Sequence, residues 1–349
     1  MKKIISLLCS ILVILGALSL TAFAAEPYSA GIEVLKTQFK DGAGSETEGF
    51  AIDYLYFSPV QENDNKKYPL VVWLHGMWDG SYSGRQIKNN NISYWTSAEF
   101  QSRFPSGGAF IMAPRSPEEK IIYWEDRTVY PLRAAIDDFI AQNKENIDIT
   151  RIYIGGYSMG GKMTLKMITA YPEMFAAAFP ICPAWSPDEA SLQIIKDMPI
   201  WLTCGMNDNA VNYKGVEKTW NNICAVSNKN SVNRFSSMTQ TVMPDGSPAP
   251  SGHESWQAVA HDMFSYEWGD YPNMSTVDGK GNEVKFTYPD GMISWLSQFT
   301  SDFDGSAASD SGNIEVQDDE SCIAGFFRSV FGKVFVTLVK IIDKVSDLF

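Results

Sequence analysis

The sequence predicts an α/β fold in which a mostly parallel central sheet is flanked by helices. Three observations predict it. Between residues 28 and 303, apolar runs of strand length alternate with longer stretches of helical period. One of the runs, Leu70-Val71-Val72-Trp73-Leu74, is continuously apolar, as a strand buried on both faces requires. A glycine-rich turn, Gly156-Tyr157-Ser158-Met159-Gly160, joins a strand candidate directly to a helix candidate.

The elements follow in order. Segments 32–39 and 50–57 read as strands around a glycine-containing turn, followed by the buried strand 70–74 and another at 109–112. Residues 130–142 carry Leu132, Ala135, Ile136, Phe139 and Ile140 at helical spacing, and 151–155 returns as a strand. A helix is expected over 159–170, ending at Tyr171-Pro172, then strands over 175–181, 199–204 and 235–243, with a helix at 215–224 between the last two. Helices at 256–264 and 292–299 close the fold, and the Gly- and Tyr-rich stretch 267–289 between them reads as an inserted hairpin or lid-like loop.

Both ends differ in character from this body. Lys2 and Lys3 precede an apolar run over 4–20, and Ala22-Phe23-Ala24 supplies small residues at cleavage spacing, so residues 1–24 read as a secretory signal peptide. The catalytic unit is expected over 28–303. Residues 304–321 have the composition of a flexible acidic linker. Over 322–349, Ile323, Phe326, Phe327, Val330, Val334, Leu338, Ile341, Val345 and Leu348 recur at helical spacing opposite Lys333, Lys340 and Lys344. That amphipathic helix suits a membrane or envelope surface, a docking partner, or packing back onto the catalytic unit.

The net charge of −13 argues against polyanionic partners, nucleic acid among them. Four cysteines lie beyond the leader, Cys182, Cys204, Cys224 and Cys322, with none of the paired spacings of metal sites. No metal is expected. Export permits a disulfide such as Cys204 with Cys224, and buried free thiols fit equally well.

A serine on a sharp strand-to-helix turn is a nucleophile in waiting, because the turn exposes its hydroxyl and the helix start aims backbone N–H groups at developing negative charge. Ser158 is the candidate, with the Met159 amide as half of an oxyanion hole. The other half is expected from the Met77 amide, since His75-Gly76-Met77 follows the buried strand 70–74. His75 precedes the nucleophile and reads as a loop-shaping residue. Downstream of Ser158 only His253 and His261 occur. His253 sits in a Pro- and Gly-rich loop after the last strand candidate, whereas His261 falls within a helical stretch, so His253 is the expected base. Asp208, in the loop past strand 199–204, is the expected acid that orients it; Asp188, Asp245 and Glu254 are the rivals.

Taken together, the segments 68–76, 146–161 and 252–256 resemble the polyhydroxybutyrate depolymerase, feruloyl esterase and predicted-peptidase branch of the α/β-hydrolases, over residues 54–299. The likeness implies an α/β-hydrolase fold and a Ser158, Asp208 and His253 triad with Met77 and Met159 giving the oxyanion amides. It also implies hydrolysis of carboxylic esters through an acyl-enzyme, without a cofactor. Two departures stand out: stretch 267–289 intervenes before the closing helix, and Val211 is followed by Asn212 where the family has Val-Pro. Trp78, Trp124, Trp185 and Trp256 fall in expected loops at the strand ends, either lining an aromatic or sugar-binding cleft or packing under loops. Secretion and these aromatics point to feruloyl or acetyl esters of plant polysaccharides handled outside the cell or at its surface. A serine peptidase of the prolyl-oligopeptidase-like type and a non-catalytic surface-binding protein are the alternatives.

Overall fold

The computed structural model describes residues 52–60, 65–77, 92–116, 124–261, 273–286 and 291–306, together with the backbone of three short strands nearer the N-terminus. The signal peptide over 1–24, Trp78, most of the acidic linker, Cys322 and the amphipathic helix over 322–349 lie outside the described residues.

The sheet is built from β1 (Ser29–Glu33), β4 (Ile52–Phe57), β5 (Tyr68–Leu74), β6 (Phe110–Pro114), β7 (Ile147–Tyr157), β8 (Ala177–Ile181), β9 (Trp201–Gly205), β10 (Arg234–Met238) and β11 (Met274–Asp278). A separate two-stranded ribbon pairs β2 (Phe39–Lys40) with β3 (Glu46–Thr47). Across the nine-stranded sheet the order is β1-β4-β6-β5-β7-β8-β9-β10-β11. The strands from β6 to β10 in that order are mutually parallel, and β1, β4 and β11 extend the two edges by antiparallel pairing.

The continuous apolar run sits where its composition demands. Every residue of β5 is buried, with β6 on one side and β7 on the other. The described helices are α1 (Ile92–Trp95), α2 (Ala98–Gln101), α3 (Val129–Gln142), α4 (Met159–Ala170), α5 (Glu189–Ile194), α6 (Tyr213–Val226), α7 (Ser255–Ala260) and α8 (Met292–Leu296). α3 buries the stripe Leu132, Ala135, Ile136, Phe139 and Ile140 that its sequence spacing marked. α5 and α6 start at side-chain caps, Asp188 accepting from the Ser191 N–H and Asn212 from the Lys214 N–H.

One expectation changes, and two open readings resolve. Of the two readings of stretch 267–289, its described part takes the hairpin: Met274–Asp278 pairs antiparallel with β10, and Val277 bridges to Glu283 at the sheet edge. Met274 lies beside Met238, while the turn over 279–282 lies at the opposite end of the sheet, away from the strand ends that carry Ser158. The β-branched Thr276 and Val277 favour that pairing. The strand expected over 235–243 stops at Met238, and Val242 makes only an isolated bridge to Pro248. Cys182, Cys204 and Cys224 are all free thiols, so Cys204 and Cys224 are not joined.

A charged cluster lies beneath the helix that follows Ser158. Asp126, in a 3₁₀ turn before α3, is 8% exposed and forms ion pairs of 2.9 Å with both Lys162 and Lys166, one turn apart on α4. Burial alone would raise the Asp126 carboxyl, but the two ammonium groups outweigh it and hold its pKa below the ordinary value. Removing the carboxylate strands Lys162, itself 5% exposed. Asp126→Ala is expected to lower unfolding free energy by about 3–5 kcal/mol in urea titration. A loss under about 1 kcal/mol would show that these charges are solvated rather than paired.

Candidate active site

β7 runs straight into a turn whose first helical amide belongs to Met159. Ser158 has φ 58° and ψ −115°, a backbone conformation that costs a non-glycine residue on the order of 1–3 kcal/mol. Three backbone hydrogen bonds hold it there. Its N–H donates to the Ile181 carbonyl at 2.9 Å, and its carbonyl accepts from the Lys162 N–H at 3.0 Å and the Ala184 N–H at 3.1 Å. The turn also presses against the end of β5: a Cβ on Gly160 would lie 2.2 Å from the Leu74 carbonyl oxygen and 2.5 Å from that of His75. Only glycine permits this approach. The Ser158 side chain is buried, and its Oγ has no hydrogen-bond partner among the described residues.

The other wall comes from the loop after β5. His75 is fully buried; its Nδ1 donates to the Gly76 carbonyl at 2.6 Å and its Nε2 accepts the Ser116 N–H at 3.0 Å, which fixes the tautomer. Its ring therefore shapes the turn, in line with its position ahead of the serine. Met77 ends the described part of this loop, and neither its amide nor that of Met159 donates a hydrogen bond among the described residues. Met77 follows the end of β5 and Met159 directly follows Ser158, where it adds the positive end of α4.

His253 and Asp208 come together from two loops that touch through glycines. A Cβ on Gly205 would meet the Gly252 backbone at 2.4 Å, so the end of β9 and the histidine loop are in direct backbone contact. Ser251 stitches them further: its Oγ donates to Asn209 Oδ1 at 2.8 Å and accepts the His253 N–H at 3.1 Å. His253 Nδ1 lies 3.0 Å from Asp208 Oδ2 and 3.2 Å from Oδ1. The Asp208 carboxylate has 0% exposure, and its Oδ1 accepts the Ala210 and Val211 N–H groups, each at 2.8 Å. Two amide donors and an imidazole keep it aimed.

Burial works against the protonated imidazole, but the neighbouring Cys182 sulfur and the Asp208 carboxylate outweigh it and hold the His253 pKa well above its ordinary value. Burial pushes the Cys182 thiol up to about 11. With Nδ1 directed at Asp208, Nε2 is the nitrogen left to take a proton. His261 does something else: it caps α7, lies 4.2 Å from the Tyr94 ring and is pushed down to about 4 by burial.

The tryptophans divide. Trp124 is fully buried, its indole N–H donating to the His75 carbonyl at 3.1 Å, so it supports the loop and lines no cleft. Trp256 is 6% exposed and stacks on Tyr157, ring centres 4.8 Å apart, which ties the helix after His253 to the residue before Ser158. Trp185 keeps partial exposure, with the Lys166 ammonium 4.1 Å from its ring centre. Sequence reasoning missed the Asp126 cluster and the nearness of Cys182 to His253. Lys162 and Lys166, spaced one turn apart on a helix that is otherwise buried, were the only signal for the first.

Residues 116–246 match a family model described as phospholipase/carboxylesterase. Among curated proteins, dipeptidyl aminopeptidase A of Saccharomyces cerevisiae is 28% identical over 35% of this chain and 13% of its own length. The bifunctional acetylxylan esterase/xylanase XynS20E of Neocallimastix patriciarum is 25% identical over 76% of this chain and 36% of its own. A poly(3-hydroxybutyrate) depolymerase of Ralstonia pickettii is 28% identical over 45% of this chain and 34% of its own. The chain thus spans no more than about a third of the length of these relatives. A crystal structure of a thermostable esterase superposes with TM-score 0.53 at 28% identity, covering 70% of this chain and 63% of that one. The strand order, the strained serine turn and this likeness agree: in fold, the chain is an α/β-hydrolase.

Proposed function

We propose that this protein is an exported serine hydrolase that cleaves carboxylic esters through an acyl-enzyme. The observation that carries the reading is the buried Asp208 carboxylate holding His253 Nδ1 at 3.0 Å, on the same sheet edge as a serine with φ 58°. In this mechanism Ser158 Oγ attacks the ester carbonyl while His253 Nε2 takes its proton. The tetrahedral oxyanion settles against the Met77 and Met159 amides. His253 then returns the proton to the departing alcohol, and water repeats the sequence on the acyl-serine. The Ser158 hydroxyl makes no hydrogen bond among the described residues of the free protein. Such contacts often tighten only when substrate is bound. No step needs a cofactor.

The substrate class we propose is an acyl ester carried on a polysaccharide, acetyl or feruloyl, which the acetylxylan esterase relative and the matched carboxylesterase model support. Trp185, the one tryptophan of the four with described surface exposure, is the proposed substrate contact. The peptidase relative favours cleavage of peptides by the same residues as the second reading. A panel of acetylated xylan, methyl ferulate, p-nitrophenyl acetate and a dipeptide anilide separates them: turnover confined to the anilide would reject the esterase reading.

Ser158→Ala is expected to abolish p-nitrophenyl acetate hydrolysis, and Asp208→Asn to lower kcat about 10⁴-fold, because an amide stabilises the wrong imidazole tautomer. Equal rates in wild type and Ser158→Ala would contradict the mechanism. The pH profile carries a sign. Protonated His253 is unable to accept the serine proton, so kcat/KM is lost as pH falls through its raised pKa. The acid limb is expected above the value of about 6.5 of a free imidazole and is expected to move down in Asp208→Asn.

A further inference from the structure

The spacing of the cysteines in the sequence gives no sign of a metal site, yet the fold gathers one donor set from three separate loops. Cys182 Sγ, a carboxylate oxygen of Asp208 and a ring nitrogen of His253 all lie within 4.8 Å of one another. We propose that these three side chains form an inhibitory site for a borderline-soft divalent cation, zinc above all, that switches the protein off by capturing the inner nitrogen of His253. The proposal deepens the reading of this site as a hydrolase centre and rests on it for the inhibition, though not for the binding.

The donor chemistry fits. A thiolate, an imidazole and a carboxylate are the ligand types zinc prefers, and their two negative charges neutralise the ion inside a buried pocket. Tetrahedral bonds of about 2.0–2.3 Å would separate the donor atoms by about 3.3–3.8 Å. The present spread requires side-chain movement on the order of 1 Å. The donors also have capacity. Asp208 Oδ1 is occupied by two backbone amides, but Oδ2 accepts only from His253. The Cys182 sulfur makes a long contact, 3.9 Å, to the His253 carbonyl and interacts with the His253 ring. Cys182 is also one of three described non-glycine residues with positive φ, at 35°, in the segment whose neighbours Ile181 and Ala184 bond to the Ser158 backbone. A cysteine that interacts with the His253 ring is thereby held in the segment that also fixes the nucleophile's backbone.

The proton balance explains why binding silences the site. Zinc displaces the proton of the Cys182 thiol to solvent. It also takes the place of the proton on His253 Nδ1, which the ring then carries on Nε2. Nε2 has no lone pair left to accept the Ser158 proton, and Asp208 is engaged with the metal instead of the imidazole. Substrate is not displaced, so kcat falls while KM changes little.

The test uses the full chain freed of metal by chelator. Zinc binding is measured by calorimetry and cadmium binding by its thiolate charge-transfer absorption. Inhibition of p-nitrophenyl acetate hydrolysis is read against each protein's own metal-free rate. One equivalent is expected to bind wild type, with the inhibition constant equal to Kd. Cys182→Ala is expected to weaken both at least about tenfold and to abolish the cadmium band, whereas Cys204→Ala keeps both. Nitrogen-15 spectra of the three histidines need no variant: zinc is expected to move the His253 proton from Nδ1 to Nε2. Zinc binding of unchanged affinity in Cys182→Ala, no binding to wild type, or no tautomer change at His253 on saturation would each overturn the site. Absence of hydrolysis in metal-free wild type counts against the esterase reading alone, because calorimetry and the cadmium band do not depend on turnover.

Discussion

The close approach of the β5 end to the serine turn is the constraint on which the rest of the site depends. At Gly160 the carbonyls of Leu74 and His75 lie where a side chain would stand, so strand, turn and helix interlock at backbone distance. That contact does two things at once. It forces Ser158 into a strained φ, and it brings the loop holding Met77 beside the N-terminus of α4. The strain is held by hydrogen bonds from the strand next door, through Ile181 and Ala184, so β8 is as much a part of the nucleophile as β7.

A second contact of the same kind positions the base. Gly205 and Gly252 meet backbone to backbone, and no side chain could enter between them. The acid and the histidine therefore sit on loops that are sewn together before any side chain acts, and Ser251 and Asn209 complete the seam. The Tyr157 and Trp256 stack then joins this half to the serine half across the sheet edge. Catalytic geometry here is the product of two glycine contacts and one aromatic pair, with the charged Asp126, Lys162 and Lys166 cluster anchoring α4 from below.

Much of this was legible in the sequence. The buried strand over 70–74, the helix over 159–170 and the close pairing of His253 with Asp208 follow from apolar period, turn residues and chain order, which report local preferences directly. What was not legible depends on contacts between distant segments. Whether Trp124 and Trp256 line a cleft or pack under loops stayed open because loops expose aromatics as readily as they bury them, and only tertiary packing shows the indole of one reaching the His75 carbonyl. For the stretch 267–289 the choice between hairpin and lid stayed open, because its glycines mark turns without saying what flanks them, and β10 offered an open edge for it to pair with. Cys182 gave no signal, since its nearness to His253 brings together segments 71 residues apart in sequence.

The central claim is that Ser158 is the activated nucleophile of an Asp208, His253 relay. The most direct measurement is covalent trapping: native protein is treated with a fluorophosphonate, digested, and the adduct mapped by mass spectrometry. The account predicts one adduct per chain, on Ser158 alone, formed rapidly by the folded protein and lost in His253→Ala and after denaturation. Labelling that falls on another residue, or that proceeds equally well without His253, would contradict it.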